Sequence, residues 1–196
     1  FHLSKNVFCP NKRGHLSLSP QEIRSCVSRG EFNNLLQSLA NDPNWRELYG
    51  PPSPRAKDQE LILRFFALYY KADEYERPLK AFLDKFMDRN RSLSNTRVDE
   101  MTSIFQEATA LAVKALTRKA FRPERSFNAA VAEALLVGLA HRLAKGPIKH
   151  PEALEAARER HFANTEFMTA VSSSTTNTEQ VSRRLTAARA SFENVR

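Results

Sequence analysis

The sequence predicts an all-α fold, and three observations carry the prediction. Apolar residues recur at steps of three and four through most of the chain, strand-like alternation does not survive after residue 18, and only 5 of the 196 residues are Gly. The expected architecture is an irregular bundle of about nine or ten helices around a central apolar helix at residues 58–70. Residues 18–196 read as a single helical domain, and residues 1–17, which hold Pro10 and Gly14, as an irregular segment.

The first helix is announced by Ser19-Pro20-Gln21-Glu22, a capping box with proline at the first helical position, and should run to Ser28. Arg29-Gly30 ends it, and Phe32, Leu35, Leu36 and Leu39 mark a second helix that stops near Asn41. Asp42-Pro43 repeats the cap-then-proline device for a short helix through Trp45 and Leu48 to Tyr49. Gly50-Pro51-Pro52-Ser53-Pro54 then enforces a break, because each proline disfavours helical geometry at the residue before it.

The run 57–70 packs more apolar volume into one helix length than any other stretch. Asp58 is placed to cap it, with Gln59 and Glu60 in a first turn that favours negative charge. Leu61, Phe65 and Leu68 follow helical spacing on one stripe and Ile62, Phe66 and Tyr69 on a second, leaving Arg64 within i, i+4 reach of Glu60. A helix apolar on most faces must be surrounded by others, so Phe65, Phe66, Tyr69 and Tyr70 read as core rather than as a platform for bases.

Beyond a charged turn at 71–76, Leu79, Phe82, Leu83, Phe86 and Met87 keep one apolar face. Ser94 or Asn95 caps the next helix, whose Val98, Met101, Phe105, Ala108, Ala112 and Ala115 form an internal bundle seam expected to reach Lys119 before Phe121 and Pro123 close it. Ser126 is expected to begin a second buried helix extending to Ala144, in which Ala130, Ala134 and Gly138 let a neighbour approach closely. Pro151 opens an Ala/Glu/Arg helix, a short one covers 165–171, and a last helix capped at Asn177 or Thr178 carries Val181, Leu185, Ala188 and Phe192 on one face.

Formal net charge is +8 and uneven: residues 1–30 carry five basic and one acidic side chains, and residues 91–150 ten and five. Such an excess suits an anionic partner, DNA foremost. The candidates for phosphate contact are Lys12 and Arg13, the cluster Arg118, Lys119, Arg122 and Arg125, and the pair Arg183-Arg184. Cys9 and Cys26 lack metal-ligand spacing and read as reduced thiols of a cytoplasmic protein, with a disulfide between them as the alternative. The most apolar long run, 129–140, contains Glu133 and is well short of the roughly 20 residues a membrane span requires, so no membrane partner is expected.

Chemistry is sparse. The five histidines are scattered without metal-ligand spacing, no phosphate-cradling Gly-rich loop or nucleophile elbow occurs, and no catalytic or metal-binding residue is assigned. His141, at the end of a buried helix, is expected to interact with the C-terminal dipole. Gln21, Glu22 and Arg24 form the candidate ligand set, because an amide, a carboxylate and a guanidinium at one helix start can orient a phosphate or a base edge. The capping box by itself also explains Glu22.

Several segments follow in the order of a known family: 18–24 (Leu-Ser-Pro-Gln-Glu-Ile-Arg), 28–33 (Ser-Arg-Gly-Glu-Phe-Asn), 55–67 (Arg-Ala-Lys-Asp-Gln-Glu-Leu-Ile-Leu-Arg-Phe-Phe-Ala) and 82–87 (Phe-Leu-Asp-Lys-Phe-Met). Phe127-Asn128-Ala129-Ala130-Val131 and the Arg183-Arg184-Leu185 step agree with it. The chain resembles the C-terminal helical part of the ParB-like domain at the N-terminus of GmrSD-type modification-dependent restriction endonucleases. The resemblance implies a bacterial restriction or phage-defence protein that senses modified DNA, uses a nucleoside triphosphate with a divalent metal, and carries an HNH-type nuclease domain. The family's DGQQR motif, which lies in the preceding ParB-like half, is not in this sequence, and residues 1–17 match the family's approach to the Gln-Glu-Ile-Arg helix poorly. The resulting expectation is a helical half that supports nucleotide-dependent DNA recognition without catalysing alone; the alternative is a non-enzymatic helical module that binds DNA or a partner protein.

Overall fold

In the computed structural model, which describes residues 18–195 apart from Thr117 and Glu124 and only the backbone at Arg118 and His161, ten α-helices follow one another and no strand occurs among the described residues. They are α1 (Pro20–Val27), α2 (Glu31–Leu39), α3 (Pro43–Tyr49), α4 (Lys57–Lys71), α5 (Leu79–Arg89), α6 (Asn95–Ala115), α7 (Ala129–Leu143), α8 (Ala153–Phe162), α9 (Thr165–Ser172) and α10 (Thr178–Glu193). Lys12 and Arg13 lie outside the described residues.

The start signals work as written at α1 and α3. Ser19 and Glu22 close a reciprocal capping box around Pro20, and the Asp42 carboxylate accepts from the Trp45 amide at 3.0 Å. The second oxygen of Asp42 accepts from Gln106 of α6 at 3.0 Å, so the cap also ties α3 to the helix it packs against. Two other starts differ from expectation. Asp58 does not cap α4: it is buried in the first turn and accepts from Arg46 of α3 at 2.8 Å, while Ala56, in the left-handed region at φ 51°, begins the helix without a side-chain cap. At α7 the cap is Asn128 rather than Ser126, its amide oxygen accepting from Ala130 and Val131 at 2.9 and 3.1 Å while its Nδ2 donates to the Val171 carbonyl.

α6 stops at Ala115, short of Lys119, because the chain tightens into a 3-10 turn at Arg118–Phe121 that delivers Ala120 and Phe121 into the core. Against α4 pack α1, α2, α5 and α7, as a central helix requires. Yet α7 is the more enclosed: every residue from Ala130 to Ala140 is buried, and α4, α6, α9 and α10 surround it. The centre is therefore shared by two helices. Small residues are the cause, since a Cβ on Gly138 would meet the Ala188 backbone and the Phe192 ring of α10 at 3.1 Å, a separation too short for any other residue without movement.

Phe65 and Phe66 are buried among Phe32, Phe86 and Phe105, and Tyr69 and Tyr70 are half-buried at the rim of the same cluster. One correction concerns Cys26, expected to be reduced. It is disulfide-bonded, with its partner outside the described residues, so the compartment argument drawn from free thiols loses its premise. No helix among the described residues is long and apolar enough to cross a membrane.

Candidate functional site

The best-formed site grows from the junction of α1 with the start of α4. The Ser19 hydroxyl accepts from the Glu22 amide at 3.2 Å and donates to the Arg55 carbonyl at 2.9 Å, and the Glu22 carboxylate accepts from the Ser19 amide at 2.7 Å while lying 3.4 Å from the Arg55 guanidinium. The Pro-rich loop is thereby fastened to the first turn of α1. One turn on, Arg24 is 5 % exposed and reaches inward, its Nε donating to Asp84 of α5 at 2.7 Å and its Nη1 to Glu60 at 3.0 Å and to the Gln21 amide oxygen at 3.2 Å.

Charge then alternates through the interior. Glu60 accepts from Arg64 at 3.0 Å, the i, i+4 pair foreseen from spacing; Arg64 stands 3.7 Å from Glu133 of α7; and Glu133 accepts from Arg184 of α10. Arg184 finishes the series by donating to the Thr175 carbonyl at 2.6 Å. α5, α1, α4, α7 and α10 are linked by this network, each buried charge meeting an opposite one.

Above the junction lies a cavity of about 380 Å³. Arg55, Lys57, Glu60 and Arg64 are among the residues that line it. Tyr49 and Phe127, whose ring centroids are 4.9 Å apart, line it as well, together with Leu61 and Ala129. The Tyr49 hydroxyl titrates above its ordinary range because burial and the nearby Asp58 carboxylate disfavour the phenolate, so it presents a neutral phenol. No local sequence signal announces this cavity, since it joins residues of α1, α3, α4 and the approach to α7.

The ligand set read from sequence is corrected by burial. Gln21 and Arg24 belong to the interior, the guanidinium of Arg24 being taken up by Glu60, Asp84 and Gln21, and Glu22 closes the capping box and pairs with Arg55. They frame the cavity rather than contact what enters it. The basic candidates divide similarly. Arg122 donates to the Leu48 and Tyr49 carbonyls at 2.8 and 2.7 Å and lies over the Phe127 ring, which satisfies the C-terminus of α3 rather than a phosphate. Arg184 is buried in its pair with Glu133 and is likewise withdrawn as a DNA contact. Lys119 and Arg125 are exposed, Arg183 is exposed and bonded to Glu179 at 2.7 Å, and the side chain of Arg118 lies outside the described residues.

His141 departs from its expected dipole role, which needs a charged ring. It stacks on Tyr69 at 4.5 Å, its Nε2 accepts from Arg189 of α10 at 2.8 Å, and burial first, then Arg189 and Lys145, push its pKa down to about 4. Because the folded value is below the unfolded one, the neutral ring contributes stability that is complete above about pH 6.5 and lost as pH falls toward 4. Ring-proton NMR across that range should find His141 untitrated at pH 5; a midpoint near 6.5 would contradict the packing described here. Among the described residues no group of three or more His, Cys, Asp or Glu is arranged to hold a metal ion.

No protein-family model, curated protein or solved structure matches the chain.

Proposed function

We propose that this chain is the helical half of a restriction or phage-defence protein, supporting nucleotide-dependent recognition of modified DNA without catalysing alone. The nucleoside triphosphate, its divalent metal and the cutting step belong in this reading to a ParB-like half bearing DGQQR and to an HNH-type nuclease domain.

What supports the reading is one convergence. Two of the segments that carry the family resemblance, 18–24 and 55–67, are far apart in sequence yet meet through Ser19 to Arg55, Glu22 to Arg55 and Arg24 to Glu60, at the rim of the cavity. Their shared residue types thus build one structural unit facing one site. Phosphoryl transfer also needs a cradle for the phosphates, a cationic or metal clamp and a group that orients water. The junction offers Arg55, Lys57 and Arg64 beside the Glu60 carboxylate. Exposed Lys119 and Arg125 favour the second reading, a non-enzymatic module docking on DNA or on a partner protein.

The test compares nucleotide hydrolysis by the 196-residue chain with hydrolysis by the same chain joined to a DGQQR-bearing ParB-like half. Turnover is expected from the joined protein alone. Turnover by the isolated chain, or none from either in the presence of modified DNA, would remove this reading.

A further inference from the structure

We infer that the segment ahead of α1 folds back as a strap over the outer face of that helix, held by a Cys9–Cys26 disulfide and covering Ile23 and Val27. α1 is turned inside out relative to an ordinary surface helix. Its buried positions are the polar Gln21 and Arg24, with Ser28 just past its end. Arg24 donates to Glu60 of α4 and Asp84 of α5, and the Ser28 hydroxyl to Asp88 of α5, so the two helices on which α1 packs take its polar face. Ile23 and Val27 point the other way and are each 46 % exposed, the large apolar side chains left open among the described residues. They stand four residues apart and so form one stripe, with the partly buried Cys26 beside both. A helix directs its apolar stripe toward whatever covers it, and here that is neither α4 nor α5.

Cys26 identifies the occupant. It is disulfide-bonded, and the sequence holds one other cysteine, Cys9. Cys26 lies in the last turn of α1 while the chain enters the helix at Ser19, so the bond carries Cys9 to the far end of a helix about 12 Å long. Residues 10–18 then return along α1 to its start, and a stretch of that length spans up to about 30 Å, enough to close the bond with slack. Val7 and Phe8 adjoin Cys9 and Leu16 lies on the return, which brings apolar side chains to Ile23 and Val27. A dithiol opens the strap. Thiolate attack and closure of the reductant to its own disulfide pass two electrons to the Cys9–Cys26 bond, which breaks to two thiols that take up the reductant's two protons. The stripe is then bared to solvent.

The full chain is compared before and after treatment with dithiothreitol. Alkylation followed by mass spectrometry should find neither cysteine modified in the untreated chain and both modified after reduction. The amides of Val7 and Phe8 should exchange at least about tenfold more slowly in the untreated chain than in the reduced one. A dye that fluoresces on apolar surface should brighten on reduction. Phe8→Ser should brighten it without reductant and with the disulfide intact. Ile23→Ser combined with Val27→Ser should abolish the rise and, both side chains being exposed, leave the melting temperature of the reduced chain in place. The strap is overturned if the cysteines are alkylated without reductant, or if the disulfide joins two chains on a non-reducing gel. It is overturned equally if reduction changes neither dye binding nor exchange, which leaves the stripe to a partner outside the chain. Dimerisation of the untreated chain that Ile23→Ser abolishes assigns the stripe to a second copy and overturns the strap as well.

Discussion

Phe66→Ala should lower the stability of the chain by about 3–5 kcal/mol, visible as a shift of the denaturant midpoint with little change in slope. The side chain is fully buried and its ring lies edge-on to Phe32 of α2 at 6.0 Å and tilted against Phe105 of α6 at 6.0 Å. Phe65 adds a further edge contact at 5.1 Å. Truncation therefore removes the apolar transfer term and the aromatic contacts together, and leaves a hole whose walls belong to three helices. Such walls collapse poorly, because each ring is held by partners outside the gap; Phe32, for one, also meets Phe86 of α5 at 5.6 Å. A loss below about 1 kcal/mol would mean that α4 is not a core helix, and would revive Phe65 and Phe66 as an exposed stacking surface.

How much of this was legible depends on whether a feature is local. The Ser19 box, the Asp42 cap, the Ser94 and Asn177 caps and the i, i+4 pair of Glu60 with Arg64 are all written within a few residues, and each forms as its spacing predicts. Asp58 had an equally good local signal to cap α4, but Arg46 of a neighbouring helix claims its carboxylate, and a tertiary ion pair overrides a local propensity. Arg24 was visible as a polar residue at a helix start; that it points inward depends on Glu60 and Asp84, which are 36 and 60 residues away. The cavity is the least legible feature, since its lining comes from separate segments and only the folded chain brings Lys57 and Phe127 to one site. Arg184 did have a signal that charge counting passes over. It stands three residues after Val181 and four before Ala188, on the apolar stripe of α10, whereas Arg183 does not.

That register makes the adjacent arginines a test of burial against exposure. Arg184→Ala should destabilise by about 3–5 kcal/mol, because it leaves Glu133, whose side chain is 1 % exposed, without its closest partner in the interior. The substitution also strips the Thr175 carbonyl of its guanidinium donor. Arg183→Ala removes a pair whose members are 50 % and 63 % exposed, and should change stability by no more than about 0.5 kcal/mol. Glu133→Ala should cost about as much as Arg184→Ala, since it isolates the buried Arg184 and deprives Arg64 of a second carboxylate. Replacing both, as Glu133→Leu with Arg184→Met, removes the stranded charge, so the loss should be smaller than the sum of the single losses by about 2 kcal/mol or more. Arg184→Lys should rescue little, because a single ammonium cannot reproduce the fork that reaches Glu133 and the Thr175 carbonyl together. Denaturant melts of these variants decide the matter: equal effects at 183 and 184, or strict additivity of the Glu133 and Arg184 losses, would show that the α7–α10 seam is not held by a buried ion pair.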